Sequence, residues 1–350
     1  MRFASIVGAR PQFVKVAPVS HALRRQHEEF IIHTGQHYDY ALSAQFFEEL
    51  AIPAPAFYLG CGSGSQGAQT AMMLNAIEQV LLKKSVDWVI VFGDTNSTLA
   101  GALAAAKLHI PIAHVEAGLR SFNRVMPEEI NRVVTDHLSD RFFCPTETGQ
   151  KHLKHEGILN EVHVVGDVMY DTLLQVQPQL DEHLDDLMPT LGVSPRSYVL
   201  ATVHRASNTD DPETMRSIAQ TLNKIELPVI FPMHPRTRAC LPNYDIAWGK
   251  HVQIIEPLGY LDMLALQRSA FRILTDSGGV QKEAFLLGTP CITLREETEW
   301  VETVDLGWNV LTGANYERIL EAMALPEPQA PKRNPFGQGD AALRIAQTWQ

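Results

Sequence analysis

Length and charge limit what this chain can be. It has 350 residues, 45% of them hydrophobic, and its 40 acidic and 29 basic residues give a net charge of −11. This length exceeds what one hydrophobic core normally accommodates, so the sequence predicts two domains. The negative charge repels a phosphate backbone, which argues against nucleic acid as a partner. No signal-type segment and no long apolar run appear, so we expect a cytoplasmic protein without a membrane partner.

Cysteines and histidines give no metal-binding pattern. Cys61, Cys144, Cys240 and Cys291 are scattered without a CxxC pair, and none of the 14 histidines lies in an HExxH motif. The sequence therefore predicts neither a disulfide framework nor a metal site.

Short apolar runs alternate with helix-length amphipathic segments. The first series of strand candidates is Phe3–Gly8, Phe30–Gly35, Trp88–Gly93, Ile110–Glu116, Phe142–Pro145 and Val162–Gly166. The second series is Tyr198–His204, Val229–His234, Val252–Glu256, Ile273–Thr275, Cys291–Leu294 and Asn309–Leu311. Such alternation predicts an α/β fold with two Rossmann-like, doubly wound parallel sheets. We place the domains at residues 1–170 and 171–338, with a last helix within 339–350.

The first chemical signal follows the first strand. In Gly8–Lys15, a strand-to-helix turn would bring Arg10 and Lys15 near a helix N-terminus, which already favours anions. A guanidinium offers a bidentate fork to phosphate and an ammonium a point charge, so a diphosphate is a reasonable ligand. A solvated surface pair is the alternative.

Acidic residues follow the next strands. Asp94 comes after Trp88–Gly93, and Glu116 ends Ile110–Glu116. Because residues just beyond the carboxyl ends of parallel strands face the ligand crevice, Asp94 and Glu116 can converge there. Glu128 can join them from the start of the next helix.

Cationic and titratable residues stand at two strand ends of the second series. His204 follows one apolar run, and His234, Arg236 and Arg238 follow or end the next. A histidine at a strand end is often only a packed, hydrogen-bonded residue. Several such side chains beside an expected phosphate site favour ligand binding instead.

A glycine pair opens a helix after the strand Ile273–Thr275. Consecutive Gly278 and Gly279, after Ser277, let backbone amides approach a phosphate without a Cβ in the way. Glu283, one turn later, can accept hydrogen bonds from two ribose hydroxyls. A plain tight turn with a helix cap is the alternative. No GxGxxG fingerprint follows a strand, so a dinucleotide cofactor is not predicted.

Together these residues resemble the non-hydrolysing UDP-N-acetylglucosamine (UDP-GlcNAc) 2-epimerase family, and the resemblance runs almost end to end. The motifs that carry it are Gly8–Lys15, Gln36-His37, Gly93-Asp94-Thr95, His114–Arg120, Pro127–Arg132, Pro145-Thr146-Glu147, Thr275–Glu283 and Asn334–Gly339. The family implies the glycosyltransferase-B arrangement, with two Rossmann-like domains facing a cleft and a terminal helix that crosses back to the first domain. It also implies a homodimer.

The resemblance further implies cofactor-free inversion of C2, by elimination of UDP to a 2-acetamidoglucal and re-addition. Two or more carboxyls are needed, because one removes the C2 proton and another group delivers a proton to the opposite face. Asp94, Glu116 and Glu128 match the family's catalytic acids, and which of them is the base stays open. His204 is assigned to catalysis as well, because it stabilises the departing diphosphate together with Arg10 and the amides of Ser277, Gly278 and Gly279. Glu283 matches the family's ribose-binding carboxylate, and the other expected UDP-sugar ligands are Lys15, His234 and Arg236.

Departures from the commonest family pattern keep the substrate open between UDP-GlcNAc and UDP-2,3-diacetamido-2,3-dideoxyglucuronate. Trp300 stands where many members have arginine, as in the uronate branch, and a uronate would need an extra cation such as Arg236 or Arg238. Tyr38 and Ala68 replace the two arginines of the family's effector site, so allosteric activation is in doubt. Because fold alone does not fix function, the sequence also leaves open a hydrolysing epimerase, a glycosyltransferase and a nucleotide-sugar sensor.

Overall fold

The computed structural model describes residues 1–36, 40–329 and 334–350. Contacts between residues divide the chain into two compact units. The first is formed by Met1–Val176 with Asn334–Gln350, and the second by Gln177–Arg333. The sequence predicts domain boundaries at 170/171 and 338/339, whereas the contacts place the unit boundaries at 176/177 and 333/334. The predicted boundaries remain a prediction.

The first unit is built on a seven-stranded parallel sheet with the order β3-β2-β1-β4-β5-β6-β7. Its strands are β1 (Arg2–Val7), β2 (Glu28–His33), β3 (Phe57–Tyr58), β4 (Trp88–Phe92), β5 (Ile112–Val115), β6 (Arg141–Cys144) and β7 (Val162–Val164). Its helices up to the unit boundary are α1 (Arg10–Leu23), α2 (Tyr40–Glu49), α3 (Gln66–Leu81), α4 (Asn96–Lys107), α5 (Pro127–Leu138), α6 (Glu147–His155) and α7 (Val168–Val176).

The second unit repeats this plan with a six-stranded parallel sheet, in the order β10-β9-β8-β11-β12-β13. Its strands are β8 (Val199–Thr202), β9 (Val229–Pro232), β10 (Val252–Ile255), β11 (Arg272–Thr275), β12 (Cys291–Thr293) and β13 (Asn309–Leu311). Its helices are α8 (Leu180–Leu191), α9 (Ala206–Thr209), α10 (Pro212–Lys224), α11 (Pro235–Cys240), α12 (Tyr260–Ser269), α13 (Gly278–Leu287), α14 (Val301–Asp305) and α15 (Tyr316–Met323), with 3₁₀ turns at Gln177–Gln179 and Leu241–Asn243.

Burial on both faces explains why the central strands are almost continuously apolar. All of β8 and β11, and all but the first residue of β1 and β4, are buried. Proline in the first turn of α1, α5 and α10 suits the fixed φ of a helix start. All twelve strands predicted from the sequence are confirmed, and the two-residue β3 was missed.

In each sheet, the direction in which successive strands are added reverses at one point near the middle. The chain moves outward from β1 to β3 and resumes at β4 on the other side of β1, and it does the same around β8 and β11. Ligands of such sheets bind beyond the carboxyl ends of the strands at this switch point. The fold therefore singles out the turns after β1 and β4, with the turn after β5 next to them, and those after β8 and β11.

The last helix, α16 (Ala341–Gln347), belongs to the first unit. Just after it, the Trp349 ring packs against Phe3, Trp88 and Phe143, with centroid distances of 4.9, 5.7 and 5.5 Å. At its start, the Asp171 carboxylate accepts hydrogen bonds from the amides of the first two residues, 3.1 and 2.7 Å long. A buried acid on α7 thus caps the terminal helix.

Asp171 makes the stability of the first unit depend on pH. Burial raises its pKa to about 6, although the amides of Ala342 and Ala341 act in the opposite direction. Between about pH 4 and 6 the folded chain therefore binds more protons than the unfolded chain, and this group's contribution falls by roughly 3 kcal/mol as pH rises. Urea unfolding of wild type and Asp171→Asn across this range should show the variant gaining relative stability with pH. Parallel pH curves would contradict the assignment.

Candidate active site

A buried ion pair lies at the turn after β5. The Lys15 ammonium, from α1, lies 3.0 Å from Oε1 of Glu116, and the two residues are only 6% and 8% exposed. Glu116 has a φ of 72°, a left-handed conformation that is uncommon without glycine. Such strained residues persist when their surroundings fix them, and they cluster at functional sites. The sequence predicts that Lys15 binds a diphosphate, whereas in the structure its ammonium pairs with the Glu116 carboxylate.

The turn after β4 lies directly beside it. A Cβ added to Gly93 would be 3.4 Å from Oε1 of Glu116 and 3.5 Å from Nζ of Lys15, so the two turns touch. Asp94 follows, and its partly exposed carboxylate is hydrogen-bonded to the buried guanidinium of Arg132. The structure thus brings Asp94 and Glu116 to one edge of the sheet, each with its own cation.

The first turn of α5 supplies two more acids with different environments. Glu128 is half-buried, and Arg132, one turn further along α5, is the partner of Asp94. Glu129 is fully engaged, because its carboxylate accepts from Arg132 at 3.0 Å and from the backbone amides of Ser121 and Phe122 at 2.9 Å each. Of these two acids, Glu129 is thus held by its neighbours in the fold, and Glu128 is the one predicted from the sequence to act in catalysis.

Arg10, the other predicted cation of the first unit, is the first residue of α1. Its guanidinium lies 5.9 Å from the ring centroid of Phe46. It occupies the turn after β1, the third of the turns that the sheet order singles out.

In the second unit, Asp276 organises the turns after β8 and β11. It is fully buried, and it accepts hydrogen bonds from the backbone amides of His204 (3.0 Å) and Arg205 (2.9 Å) and from the Asn208 side chain (3.1 Å). Nδ1 of His204 also lies 3.2 Å from Oδ1 of Asp276. The His234 ring stands 5.4 Å from the His204 ring, centroid to centroid. A single carboxylate thus orients the predicted His204.

The glycine pair opens α13, as predicted. Ser277 is the N-cap, and its hydroxyl accepts from the amide of Val280, so Gly278 and Gly279 occupy the first two helical positions. Amides at these positions have no acceptor within a helix and point outward, toward anions. Glu283 lies one turn along, almost buried, and accepts a 2.8 Å hydrogen bond from Gln267.

The two arginines after β9 already form ion pairs. Nη2 of Arg236 donates to both carboxylate oxygens of Asp210, at 2.7 and 2.6 Å, and Arg238 pairs with Glu256 at 2.8 Å. Nδ1 of His234 accepts from the Arg236 amide and caps α11. The charge of Arg236 is therefore already shared with Asp210 in this structure.

Trp300 lies against the glycine turn. A Cβ on Gly278 would be 3.5 Å from the indole nitrogen, and the Lys282 ammonium lies 4.0 Å from the ring centroid. This distance is typical of a cation–π contact. The residue that departs from the family pattern is thus a wall of the predicted phosphate site.

Three relationships were not predicted from the sequence: the Lys15–Glu116 pair, the Arg132–Asp94 pair and the central place of Asp276. A signal existed only for Asp276. It follows β11 directly, just as Glu116 follows β5.

A model of the UDP-N-acetylglucosamine 2-epimerase family matches residues 21–350. The chain belongs to this family. It is 52% identical to a UDP-N-acetylglucosamine 2-epimerase homolog of Methanococcus maripaludis and 47% identical to the UDP-2,3-diacetamido-2,3-dideoxy-D-glucuronate 2-epimerase of Pseudomonas aeruginosa, over 99% of each chain in both cases. The relatives are epimerases, so the chain is an isomerase.

A solved structure of the family has the same fold. The Methanocaldococcus jannaschii UDP-GlcNAc 2-epimerase, in complex with UDP-GlcNAc and UDP, superposes with a TM-score of 0.94 at 44% identity, covering 100% of this chain and 99% of that one. The predicted glycosyltransferase-B-like class, with two parallel sheets, is confirmed.

The described part of the chain contains neither a metal-binding cluster nor a helix that could span a membrane. Within residues 1–36, 40–329 and 334–350, no three His, Cys, Asp or Glu side chains are placed to hold a metal ion. None of the helices in these ranges combines the length and apolar character needed to cross a bilayer. Of the two effector positions of the family, Tyr38 lies outside the described residues, whereas Ala68 lies in α3.

Proposed function

We propose that the protein interconverts UDP-GlcNAc and UDP-N-acetylmannosamine without hydrolysis, eliminating UDP to form a 2-acetamidoglucal and adding it back. The observation that carries this proposal is the adjacency of Glu116 and Asp94, two carboxylates on touching turns, each beside its own cation. The relative crystallised with UDP-GlcNAc and UDP supports the choice of ligand.

Proton transfer is assigned to the acids of the first unit. Inversion at C2 needs a base on one face of the sugar and an acid on the other, and two separately held carboxyls meet this need. Glu116 is fixed by Lys15 and a strained backbone, and Asp94 by Arg132, so each keeps its position while the proton moves. Glu128 is the third candidate. A transferase or a sensor would need no such set.

Departure of UDP is assigned mainly to the second unit. The amides of Gly278 and Gly279 and the oriented His204 ring stabilise the charge that develops on the diphosphate, and Arg10 adds a cation from the first unit. Glu283 holds the ribose, and His234 stands beside His204. Lys15 is assigned chiefly to Glu116 and only secondarily to phosphate.

Gly278→Ala tests the phosphate assignment without disturbing the fold. The added methyl would meet its nearest protein atoms at 3.5 and 3.6 Å, ordinary contact distances, and alanine favours a helix over glycine by roughly 1 kcal/mol. We expect an unchanged or higher thermal midpoint and at least about tenfold weaker UDP binding by calorimetry, because the methyl occupies the phosphate position. Gly67→Ala in α3, where a Cβ meets nothing within 4 Å, is the control. Undiminished UDP affinity in Gly278→Ala would move the phosphate elsewhere.

The second candidate substrate is the diacetamidoglucuronate. The Pseudomonas aeruginosa relative and Trp300 favour it. Against it, both arginines proposed to meet a uronate carboxylate already have acidic partners, Asp210 and Glu256, which share their charge. UDP-GlcNAc lacks the carboxylate and needs no such cation, and it is therefore our first choice.

For the cellular setting, we propose a cytoplasmic homodimer that supplies a UDP-sugar for cell-surface polysaccharide. This extends the family resemblance, and the allosteric response is proposed to be weak because Ala68 replaces an arginine of the effector site.

Proton NMR in D2O, with each UDP-sugar in turn, tests the function. Deuterium at C2 and a manno-configured UDP-sugar from UDP-GlcNAc alone would support the first choice, and the same result from the uronate alone would establish the second. Accumulation of free UDP and N-acetylmannosamine would indicate the hydrolysing reaction. Absence of C2 exchange with both sugars would contradict epimerisation and favour a transferase or sensor.

A further inference from the structure

A buried histidine, His114, links the turn that carries Asp94 to the turn that carries Glu116. His114, two residues before Glu116 on β5, is fully buried, and both its ring nitrogens are engaged. Nε2 lies 2.8 Å from the carbonyl oxygen of Gly93, and Nδ1 lies 2.7 Å from Oδ1 of Asp136. A carbonyl only accepts, so Nε2 must carry the hydrogen of the first bond.

Asp136 joins this histidine to the far side of the Glu116 turn. Its Oδ2 accepts from the Gly118 amide at 3.2 Å and from the Arg120 guanidinium at 2.7 Å. Burial raises the pKa of Asp136, but His114 and Arg120 lower it by more, so the net pKa lies below its ordinary value. The Asp136 carboxylate thus joins the His114 ring to the Gly118 amide and to Arg120.

The network continues to a second acid. Arg120 also binds Glu156 through two 2.7 Å hydrogen bonds, so His114, Asp136, Arg120 and Glu156 form one connected set. A fully satisfied buried network fixes its members, whereas a partly satisfied one is costly. Its attachment points, the Gly93 carbonyl and the Gly118 amide, belong to residues with φ of 61° and 80°, which flank Asp94 and Glu116 in sequence.

We infer that His114 is a positioning residue, which holds the Gly93–Asp94 turn in register with the Glu116 turn through its bond to the Gly93 carbonyl. This inference rests on the proposed function, in which Asp94 and Glu116 transfer protons at C2. His114 itself touches no substrate in this role. A small displacement of one acid relative to the other impairs proton transfer, while the UDP-binding groups of the second unit are unaffected.

Two amide variants separate the two bonds of the ring. The amide nitrogen of asparagine stands near the position of Nδ1, so His114→Asn keeps a donor to Asp136 and loses the bond to Gly93. Glutamine extends further, so His114→Gln keeps a donor to Gly93 and loses the bond to Asp136. Both changes replace the ring with an uncharged amide, so comparing them isolates the Gly93 bond.

We expect His114→Asn to lower kcat by about 100-fold and His114→Gln by no more than about tenfold. KM and UDP affinity should stay at wild-type values in both, and the two thermal midpoints should be similar. A purely structural role would not produce this order, because it would lower the midpoint in step with kcat. Turnover is followed as C2 deuterium exchange, and UDP affinity by calorimetry.

Several outcomes would overturn the inference. Equal kcat in the two folded variants, or a wild-type kcat in His114→Asn, would remove the role of the Gly93 bond. If His114→Asn does not fold, His114→Gln still decides: activity within about tenfold of wild type supports the inference, and a larger loss with the fold intact overturns it. A wild-type protein that exchanges no C2 proton overturns the proposed function together with this inference, whereas an active wild type isolates the test of His114.

Discussion

Glu116→Gln should lower the rate of C2 exchange by about 1,000-fold or more while UDP binding is unchanged. The substitution keeps the size of the side chain and an oxygen near Lys15, but the amide neither accepts nor delivers the C2 proton. Asp94→Asn should have the same effect, because inversion needs both faces of the sugar served. Rates are measured by deuterium incorporation in D2O and UDP affinity by calorimetry.

The controls for these variants come from the same unit. Glu161→Gln changes a half-exposed carboxylate that pairs with Arg141, and it should leave the rate unchanged. Thermal midpoints of all three variants show whether the fold is intact. Loss of UDP binding in folded Glu116→Gln or Asp94→Asn would identify these acids as binding groups, and a preserved exchange rate would leave Glu128 as the main candidate.

The strands and the turns that carry the site were predictable from sequence, because burial on both faces makes parallel strands apolar and their ends polar. Asp94 and Glu116 were found in this way, as was the glycine turn at Gly278. The two-residue strand Phe57–Tyr58 was missed because it is too short to show any periodicity.

Partners of the site residues could not be predicted in the same way. Lys15 reaches Glu116 across 101 positions of sequence, and Arg132 reaches Asp94 across 38, so neither pairing leaves a local pattern. Lys15 looked like a phosphate ligand because, like Arg10, it lies near the N-terminus of α1. Only the packing of α1 against the turns after β4 and β5 turns its ammonium toward a carboxylate.

The two units divide the chemistry according to what each buries. In the first, cations lie beside carboxylates at touching turns, which holds the acids in fixed positions for proton transfer. In the second, a buried carboxylate orients amides and a histidine around a glycine-rich helix start, which suits a diphosphate. This division predicts that variants of the second unit affect UDP binding first.

Asp276→Ala should destabilise the second unit by about 3 kcal/mol and weaken UDP binding by tenfold or more. The carboxylate is fully buried and accepts from the amides of His204 and Arg205 and from Asn208, and each donor left without an acceptor costs about 1–3 kcal/mol. Without it the His204 ring also loses the acceptor of its Nδ1 hydrogen, so the group assigned to the diphosphate is no longer oriented.

Asp210→Ala is the matched control, because Asp210 follows the His204–Asn208 segment that Asp276 binds but is half-exposed and pairs at the surface with Arg236 and with Thr209. Its loss should cost no more than about 1 kcal/mol. Urea unfolding gives the stability and calorimetry the UDP affinity. If Asp276→Ala loses stability but binds UDP as wild type does, the turn after β8 is structural and His204 is not a diphosphate ligand. If it keeps both, water replaces the carboxylate and the diphosphate depends on the amides of Gly278 and Gly279 alone.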